Sequence, residues 1–171
     1  MIPDEDTGDE RTAATLESLF DDLKHQSEPA KAQRIARQIW TKWNDSGSDT
    51  INLLMNWSAA AMRDKNNALA EDLLNQVIVL APDYAEGWNR RATLYFTMAD
   101  FSRSIADIER ALQLEPRHFG ALSGLGIILR RTGSEKKARD AWYKVLDIYP
   151  ANRPAQKAIE ELEEELSGRD A

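Results

Sequence analysis

The sequence predicts an all-α protein built from repeated pairs of helices. Pro82, Pro116 and Pro150 are spaced 34 residues apart, and an apolar segment precedes each of them. A helix that must end just before proline accounts for this arrangement, because the residue before proline is pushed out of the α region. Within each unit, large and small residues recur at spacings of three and four, which places them on one helical face. Each unit is therefore predicted to contain two amphipathic helices joined by a tight turn.

The residues within two of these units match a known repeat motif. The unit from Ala85 to His118 carries Trp88, Ala92, Tyr95, Phe101, Ala111 and Pro116, and the unit from Phe119 to Asn152 carries Leu122, Leu125, Gly126, Gly133, Ala138 and Pro150. With these residues at these spacings, the chain resembles the tetratricopeptide repeat (TPR) family, in its small bacterial form. The resemblance implies a right-handed α-solenoid of antiparallel helix pairs with a C-terminal capping helix.

The repeat period divides the chain into seven segments. In order, they are an acidic N-terminal tail expected to be flexible, a degenerate first repeat, three further repeats, a capping helix and a short tail: 1–13, 14–50, 51–84, 85–118, 119–152, 153–168 and 169–171. The first repeat is called degenerate because it lacks the closing proline and has Pro29 where its second helix should begin. The capping helix has one apolar stripe, and its remaining faces are acidic, as the exposed end of a repeat array requires.

Composition excludes several classes of function. The net charge of −7 disfavours nucleic acid and anionic membrane surfaces as main partners, since both require a basic field. The chain has 0 Cys and no apolar run long enough to span a membrane. His25 and His118 lie in different repeats without acidic or histidine partners at ligand spacing, so a surface or capping role is expected for them. We therefore predict no enzyme activity, no catalytic or metal site and no cofactor.

The TPR resemblance also implies where a ligand would bind. In this family the first helix of each pair lines a concave groove, and the equivalent positions can be read off this chain. The predicted peptide-binding groove consists of Asn52, Asn56, Arg63, Asn89, Arg90, Thr93, Phe96, Ser123, Ile127, Arg130 and Arg131. Its four arginines favour a protein or peptide partner with acidic residues or a free C-terminal carboxylate, since arginine binds carboxylates bidentately. The alternative left open is that these arginines only solubilise the protein and pair with Glu86 or with acids of the capping helix.

Two finer interpretations follow from the same alignment of repeats. One TPR subclass clamps the C-terminal carboxylate of molecular chaperones with five polar groove residues, of which only Asn56 and Arg90 agree here, so a chaperone clamp is not predicted. Arg91 replaces the usual leucine at its position, and Asp107 lies equally far beyond the turn of the hairpin. The spacing predicts a partly buried Arg91–Asp107 ion pair with a structural role.

The predicted function is a non-enzymatic protein–protein interaction scaffold that binds its partner in the concave groove. The alternative is a self-assembling structural or envelope-associated protein, in which two chains bury Phe20, Trp40 and Trp43 of the first repeat against each other. A homodimer is therefore one predicted state. All five tryptophans are predicted to be core residues, with Trp43 the most plausible exception. The compartment stays open between the cytoplasm and, if a leader has been removed, the periplasm.

Overall fold

The computed structural model describes residues 14–168, and this part of the chain contains nine α-helices and no strand. The predicted tails at 1–13 and 169–171 lie outside the described residues. The helices are α1 (Leu16–His25), α2 (Pro29–Trp43), α3 (Asp49–Arg63), α4 (Asn67–Leu80), α5 (Ala85–Thr97), α6 (Phe101–Leu114), α7 (Phe119–Arg131), α8 (Glu135–Ile148) and α9 (Arg153–Ser167). The predicted all-α fold is confirmed, and no helix of the described chain is long and apolar enough to cross a membrane.

The turn inside each of the three later helix pairs has the same backbone conformation. Lys65, Ala99 and Gly133 follow α3, α5 and α7, and their φ angles are 58°, 57° and 75°. This left-handed conformation commonly ends helices, and glycine adopts it without strain because it has no Cβ. The next helix of two of these pairs begins with a side-chain cap, since Asn66 and Asp100 accept hydrogen bonds from the amides of Leu69 and Arg103. The 34-residue period is therefore visible in the backbone as well as in the sequence.

Helices α3 to α9 form the stacked array. The pairs α3–α4, α5–α6 and α7–α8 pack internally, neighbouring pairs meet through α4 with α5 and α6 with α7, and α9 packs on α8. Close approach of α7 and α8 depends on Gly126, because a Cβ at that position would lie 2.7 Å from Nε1 of Trp142. The apolar stripe of α9 is buried through Ala155, Ile159 and Leu162, as expected for a capping helix.

The first hairpin, α1–α2, does not continue this stack. Its apolar residues join a cluster with side chains of α7, α8 and α9 and of the connections between them, rather than covering α3 and α4. Trp40 and Trp43 pack edge-on or tilted against the Phe119 ring, with centroids 5.9 Å and 4.9 Å away. Ring pairs in edge-on or tilted geometry add to the stabilisation from apolar burial, and here they hold the hairpin against the start of α7. Segment 14–50 thus forms two helices, but they lie along the edge of the solenoid where α7 begins and α8 ends.

This arrangement corrects two expectations about aromatic residues. Phe20 and Trp43 are only 5% and 7% exposed, and Trp40 is half-buried, so the first repeat does not present these rings to a second chain. The self-assembly interpretation was wrong in its choice of surface, because the rings are covered within the same chain. Trp57, predicted to be a core residue, is 53% exposed on α3. It lies on the side that a preceding repeat would have covered.

Candidate functional site

A pocket of about 230 Å³ opens between α5 and α7. It unites five of the eleven predicted groove residues, namely Asn89, Thr93, Phe96, Ser123 and Ile127. Cavities that hold drug-sized ligands are larger, at roughly 300–1,000 Å³. The pocket between α5 and α7 is therefore of a size to hold one or two side chains of a bound segment.

Small residues create this space. Gly120, Ala121 and Gly124 line the pocket from α7, and Ala92 lines it from α5. A Cβ at Gly124 would lie 3.6 Å from Cδ1 of Ile108, which is an ordinary contact distance, so the helices would tolerate a methyl group there. A larger side chain at Gly124 would occupy the pocket itself. The absence of a side chain at this position keeps the pocket open.

The polar groups around the pocket can accept hydrogen bonds. Nδ2 of Asn89 donates to Oε2 of Glu86 at 3.0 Å, which orients the carboxamide and leaves its oxygen as an acceptor. The hydroxyls of Thr93 and Ser123 donate to the carbonyl oxygens four residues earlier, at 3.0 Å and 2.7 Å. Their oxygens retain lone pairs that can accept. The lining thus suits an apolar side chain flanked by N–H donors, as in a peptide.

Two of the four groove arginines are bound to carboxylates of the same chain. Arg90 lies 3.1 Å from Oε1 of Glu86 and donates to Oδ1 of Asn44 at 2.7 Å. Arg130 donates to Glu161 and Glu165 of the capping helix at 2.6 Å and 2.5 Å. These hydrogen bonds raise the pKa of Arg130 and lower that of Glu161. For Arg90 and Arg130, the structure therefore shows the internal pairing that the sequence left open.

The remaining predicted residues lie outside the pocket. Arg131 is exposed beside it, with its guanidinium 5.4 Å from the centroid of the Phe96 ring. Asn52 orders the loop before α3, since its Oδ1 accepts hydrogen bonds from the amide and hydroxyl of Ser46 at 2.9 Å and 2.7 Å. Asn56 and Arg63 are exposed on α3. The predicted groove is thus divided into a pocket, two neutralised arginines and an exposed surface of α3.

Sequence reasoning missed a buried polar network beside the pocket. His118 is fully buried, and its Nδ1 accepts a hydrogen bond from the amide of Ala121 at 3.1 Å, which caps α7. The proton therefore resides on Nε2, which lies 3.1 Å from Oε2 of the buried Glu86. The Trp43 ring stacks on the imidazole at 4.1 Å with an interplanar angle of 10°. His118 thus connects Glu86 of α5 to Trp43 at the end of α2.

The repeat register contains a signal for this network. Tyr84 and His118 occupy equivalent positions, each immediately before the first helix of a pair. The Tyr84 hydroxyl donates to the carbonyl oxygen of Trp43 at 2.9 Å, so both residues hold the end of α2. The capping role expected for His118 is confirmed. Across residues 14–168, no group of three or more His, Asp and Glu side chains is placed to hold a metal ion.

Comparison with known proteins agrees with this architecture. A family model described as tetratricopeptide repeat matches residues 89–153. A TPR repeat-containing protein of Rhizobium etli is 52% identical over 153 residues, which cover 90% of this chain and 75% of that protein. The small glutamine-rich tetratricopeptide repeat-containing protein 2 of Saccharomyces cerevisiae is 27% identical over 113 residues, covering 63% of this chain and 33% of the yeast protein. The chain belongs to the tetratricopeptide repeat family.

Solved structures show the same fold. The first TPR domain of Spaghetti (RPAP3), bound to the HSP90 peptide SRMEEVD, matches with a TM-score of 0.66 at 19% identity, over 70% of this chain and 95% of that one. A crystal structure of MamA matches with a TM-score of 0.65 at 20% identity, over 88% of this chain and 86% of that one. At these identities the likeness establishes the arrangement of helices.

Proposed function

We propose that this protein is a non-enzymatic protein-interaction scaffold that binds a peptide segment of a partner in the pocket between α5 and α7. The observation that carries the proposal is the convergence of Asn89, Thr93, Phe96, Ser123 and Ile127 on one pocket of side-chain size. The RPAP3 domain was solved with a peptide bound, so the fold itself accommodates such a ligand. An apolar side chain of the segment fills the pocket, and N–H groups on either side meet the acceptors at its rim.

The charges around the pocket determine how acidic the bound peptide segment can be. Because Arg90 and Arg130 already bind carboxylates, an acidic ligand would have to displace Glu86 or the acids of α9. Arg131 is exposed at the Phe96 end of the pocket, within reach of one acidic residue of the ligand. The segment is therefore anchored mainly by apolar burial, and a carboxylate beside the anchor contacts Arg131. The bound segment is therefore expected to carry fewer acidic residues than four free groove arginines would favour.

The test begins with selection of binders from a displayed library of heptapeptides with free C-termini. Calorimetry then compares the selected peptides on the wild-type chain, on Gly124→Leu, which fills the pocket, and on Ala106→Leu, which adds the same side chain on the exposed face of α6. We expect Gly124→Leu to weaken binding at least tenfold, about 1.4 kcal/mol, and Ala106→Leu to leave it unchanged. Equal affinities for all three chains would reject this pocket as the binding site.

A further inference from the structure

The exposed side of the first stacked pair, α3–α4, is apolar. We call the surface formed by Leu53, Trp57, Leu69 and Leu80 the end face; these side chains are 46%, 53%, 46% and 61% exposed. Leu53 and Trp57 are four residues apart on α3, and Leu69 and Leu80 are eleven apart on α4, so each pair lies on one side of its helix. Half of the eight large apolar residues exposed in the described chain are therefore gathered at one end of the solenoid.

The next repeat shows what these positions ordinarily do. Thirty-four residues after Leu53, Trp57 and Leu69 stand Gly87, Arg91 and Arg103, and all three meet the preceding helix α4. A Cβ at Gly87 would lie 2.9 Å from Val77, Arg91 donates to Asn75 at 2.8 Å, and Arg103 donates to Glu71 at 2.8 Å. The end face thus occupies contact positions of the array. It is uncovered because α1 and α2 pack on α7, α8 and α9 instead.

Outside the end face, the exposed large apolar side chains of residues 14–168 are Val79, Met98, Ile127 and Tyr143, each on or next to a different helix. At the opposite end of the solenoid, α9 exposes Glu160, Glu163 and Glu164, so a head-to-tail contact would bury carboxylates against leucine and tryptophan. Residues 1–13 carry five acidic residues and one arginine, and they supply no apolar stripe. The surface that best complements the end face is the end face of a second copy.

We propose that two copies of this chain associate end to end through their end faces, related by a two-fold axis that passes near Trp57. Such an isologous contact uses one surface twice and closes at the dimer. The four exposed side chains offer on the order of 400 Å² per copy, which with a polar rim reaches about 1,000 Å² in total. This buried area is at the low end of the range for specific protein–protein interfaces, so the dimer is expected to form reversibly.

Charges beside the end face determine how salt affects this dimer. Asp49 lies one helical turn before Leu53, and Asp72 lies one turn after Leu69; both are exposed. A two-fold contact brings these carboxylates and their copies to the rim, where they repel each other. Added salt screens the repulsion and leaves the apolar contact in place. The dimer is therefore expected to strengthen with salt, whereas a contact made of ion pairs would weaken.

Sedimentation velocity of the full chain tests the proposal. The protein concentration is varied between about 1 and 200 μM, the range over which a dimer with a small interface is expected to form. We expect the mass to rise from 19.3 kDa towards twice that value, and to do so at lower concentration in higher salt. Trp57→Lys and Leu53→Lys should each raise the dissociation constant at least tenfold, with far-UV circular dichroism unchanged. Tyr143→Lys is the matched control, because Tyr143 on α8 is 43% exposed outside both the end face and the pocket between α5 and α7, and it should leave dimerisation unaltered.

Three results would overturn the proposal. A chain that stays monomeric throughout the concentration range would show that the end face meets solvent or a different protein. A dimer weakened as much by Tyr143→Lys as by Trp57→Lys would place the contact elsewhere. A dimer that dissociates as salt is added would show that ion pairs hold it. No residue of the end face lines the pocket between α5 and α7, so these results leave the proposal of peptide binding in that pocket as it stands.

Discussion

Arg91 and Asp107 form a bidentate ion pair across the hairpin of α5 and α6. Nε and Nη2 of Arg91 donate to the two carboxylate oxygens of Asp107 at 2.7 Å and 2.8 Å, and Nη1 donates to Asn75 of α4 at 2.8 Å. The Arg91 and Asp107 side chains are 18% and 6% exposed, and the hydrogen bonding of Arg91 to the Asp107 carboxylate is the main cause of a raised pKa for Arg91. The predicted pair is confirmed, and it joins three helices from two repeats.

Removing one partner of this pair should destabilise the protein strongly. Asp107→Ala leaves the Arg91 guanidinium largely buried without its carboxylate, and we expect a loss of about 3 kcal/mol in the free energy of unfolding. The double variant Arg91→Leu, Asp107→Leu replaces the pair with apolar side chains and should recover most of that loss. Urea denaturation followed by circular dichroism measures the free energy of unfolding of the single and the double variant. A double variant no more stable than Asp107→Ala would contradict this account of the pair.

The repeated left-handed turn gives a second prediction. Ala99 has a φ of 57° where Gly133, one repeat later, has a φ of 75°, and only glycine adopts this region without steric cost. Ala99→Gly should therefore raise the free energy of unfolding by about 0.5–1 kcal/mol, and Gly133→Ala should lower it by about as much. Thermal denaturation of the two variants provides the measurement. Changes of the same sign at both positions would be inconsistent with the shared conformation.

Two glycines of α7 should respond oppositely to the same change. A Cβ at Gly120 would lie 2.6 Å from the Trp40 ring, whereas a Cβ at Gly124 meets only Ile108, at 3.6 Å. Gly120→Ala should displace Trp40 and loosen the hairpin α1–α2. Gly124→Ala should be neutral or stabilise the chain by up to about 1 kcal/mol, because alanine favours a helix interior.

Hydrogen exchange followed by mass spectrometry reports on the Gly120 substitution directly. In Gly120→Ala, residues 16–43 should exchange faster while α3 to α6 keep their protection, since the hairpin packs on the other end of the solenoid. Gly124→Ala serves as the control and should leave the exchange of residues 16–43 unchanged. Uniform loss of protection along the whole chain would show that the hairpin is not a separate unit.

The capping helix should become less stable at acidic pH through Glu161. Its hydrogen bond with Arg130 holds the pKa of Glu161 below the ordinary 4.5. A lowered pKa in the folded state means that the pair stabilises the fold above the ordinary pKa and loses this effect as the pH falls through the folded value. The urea midpoint of Glu161→Gln should therefore lie below that of the wild-type chain at pH 7, and the gap should narrow as the pH falls towards 3.

The matched control for this prediction is Glu160→Gln, which removes a carboxylate from the exposed side of α9. At pH 7, the urea midpoint of Glu160→Gln should lie much closer to that of the wild-type chain than the midpoint of Glu161→Gln does. A gap between Glu161→Gln and the wild-type chain that persists unchanged at pH 3 would mean that the ion pair with Arg130 is not its cause.

Periodicity predicted the stacked part of the fold because each repeat carries its own local signals. The prolines at 82, 116 and 150 mark the ends of α4, α6 and α8, and the spacing of Arg91 and Asp107 from the turn was sufficient to pair them. Local spacing does not reveal which distant surface a helix covers. The sequence therefore predicted the two helices of segment 14–50 but not their packing against Phe119 and Trp142.

The candidate site was likewise predictable only where it depends on local repeat positions. Asn89, Thr93 and Ser123 converge because repeat positions determine which side of α5 and α7 they occupy. Whether the groove arginines pair within the chain stayed open in the sequence, and the structure pairs Arg90 with Glu86 four residues away and Arg130 with Glu161 of the capping helix. Burial of His118 likewise required Trp43, which lies 75 residues away in the sequence. The repeat predicted the positions of the groove residues and the acids available to the arginines, whereas which arginines are actually paired required the structure.

Peptide binding in the pocket between α5 and α7 can be followed residue by residue with amide chemical-shift mapping. A selected heptapeptide is titrated into the ¹⁵N-labelled chain. We expect the largest shifts at the backbone amides of Gly120, Ser123, Gly124 and Ile127 and at the Asn89 side-chain amide, all of which line the pocket. If the largest shifts fall on α3, around Asn56 and Arg63, or on the end face, the peptide does not bind in this pocket.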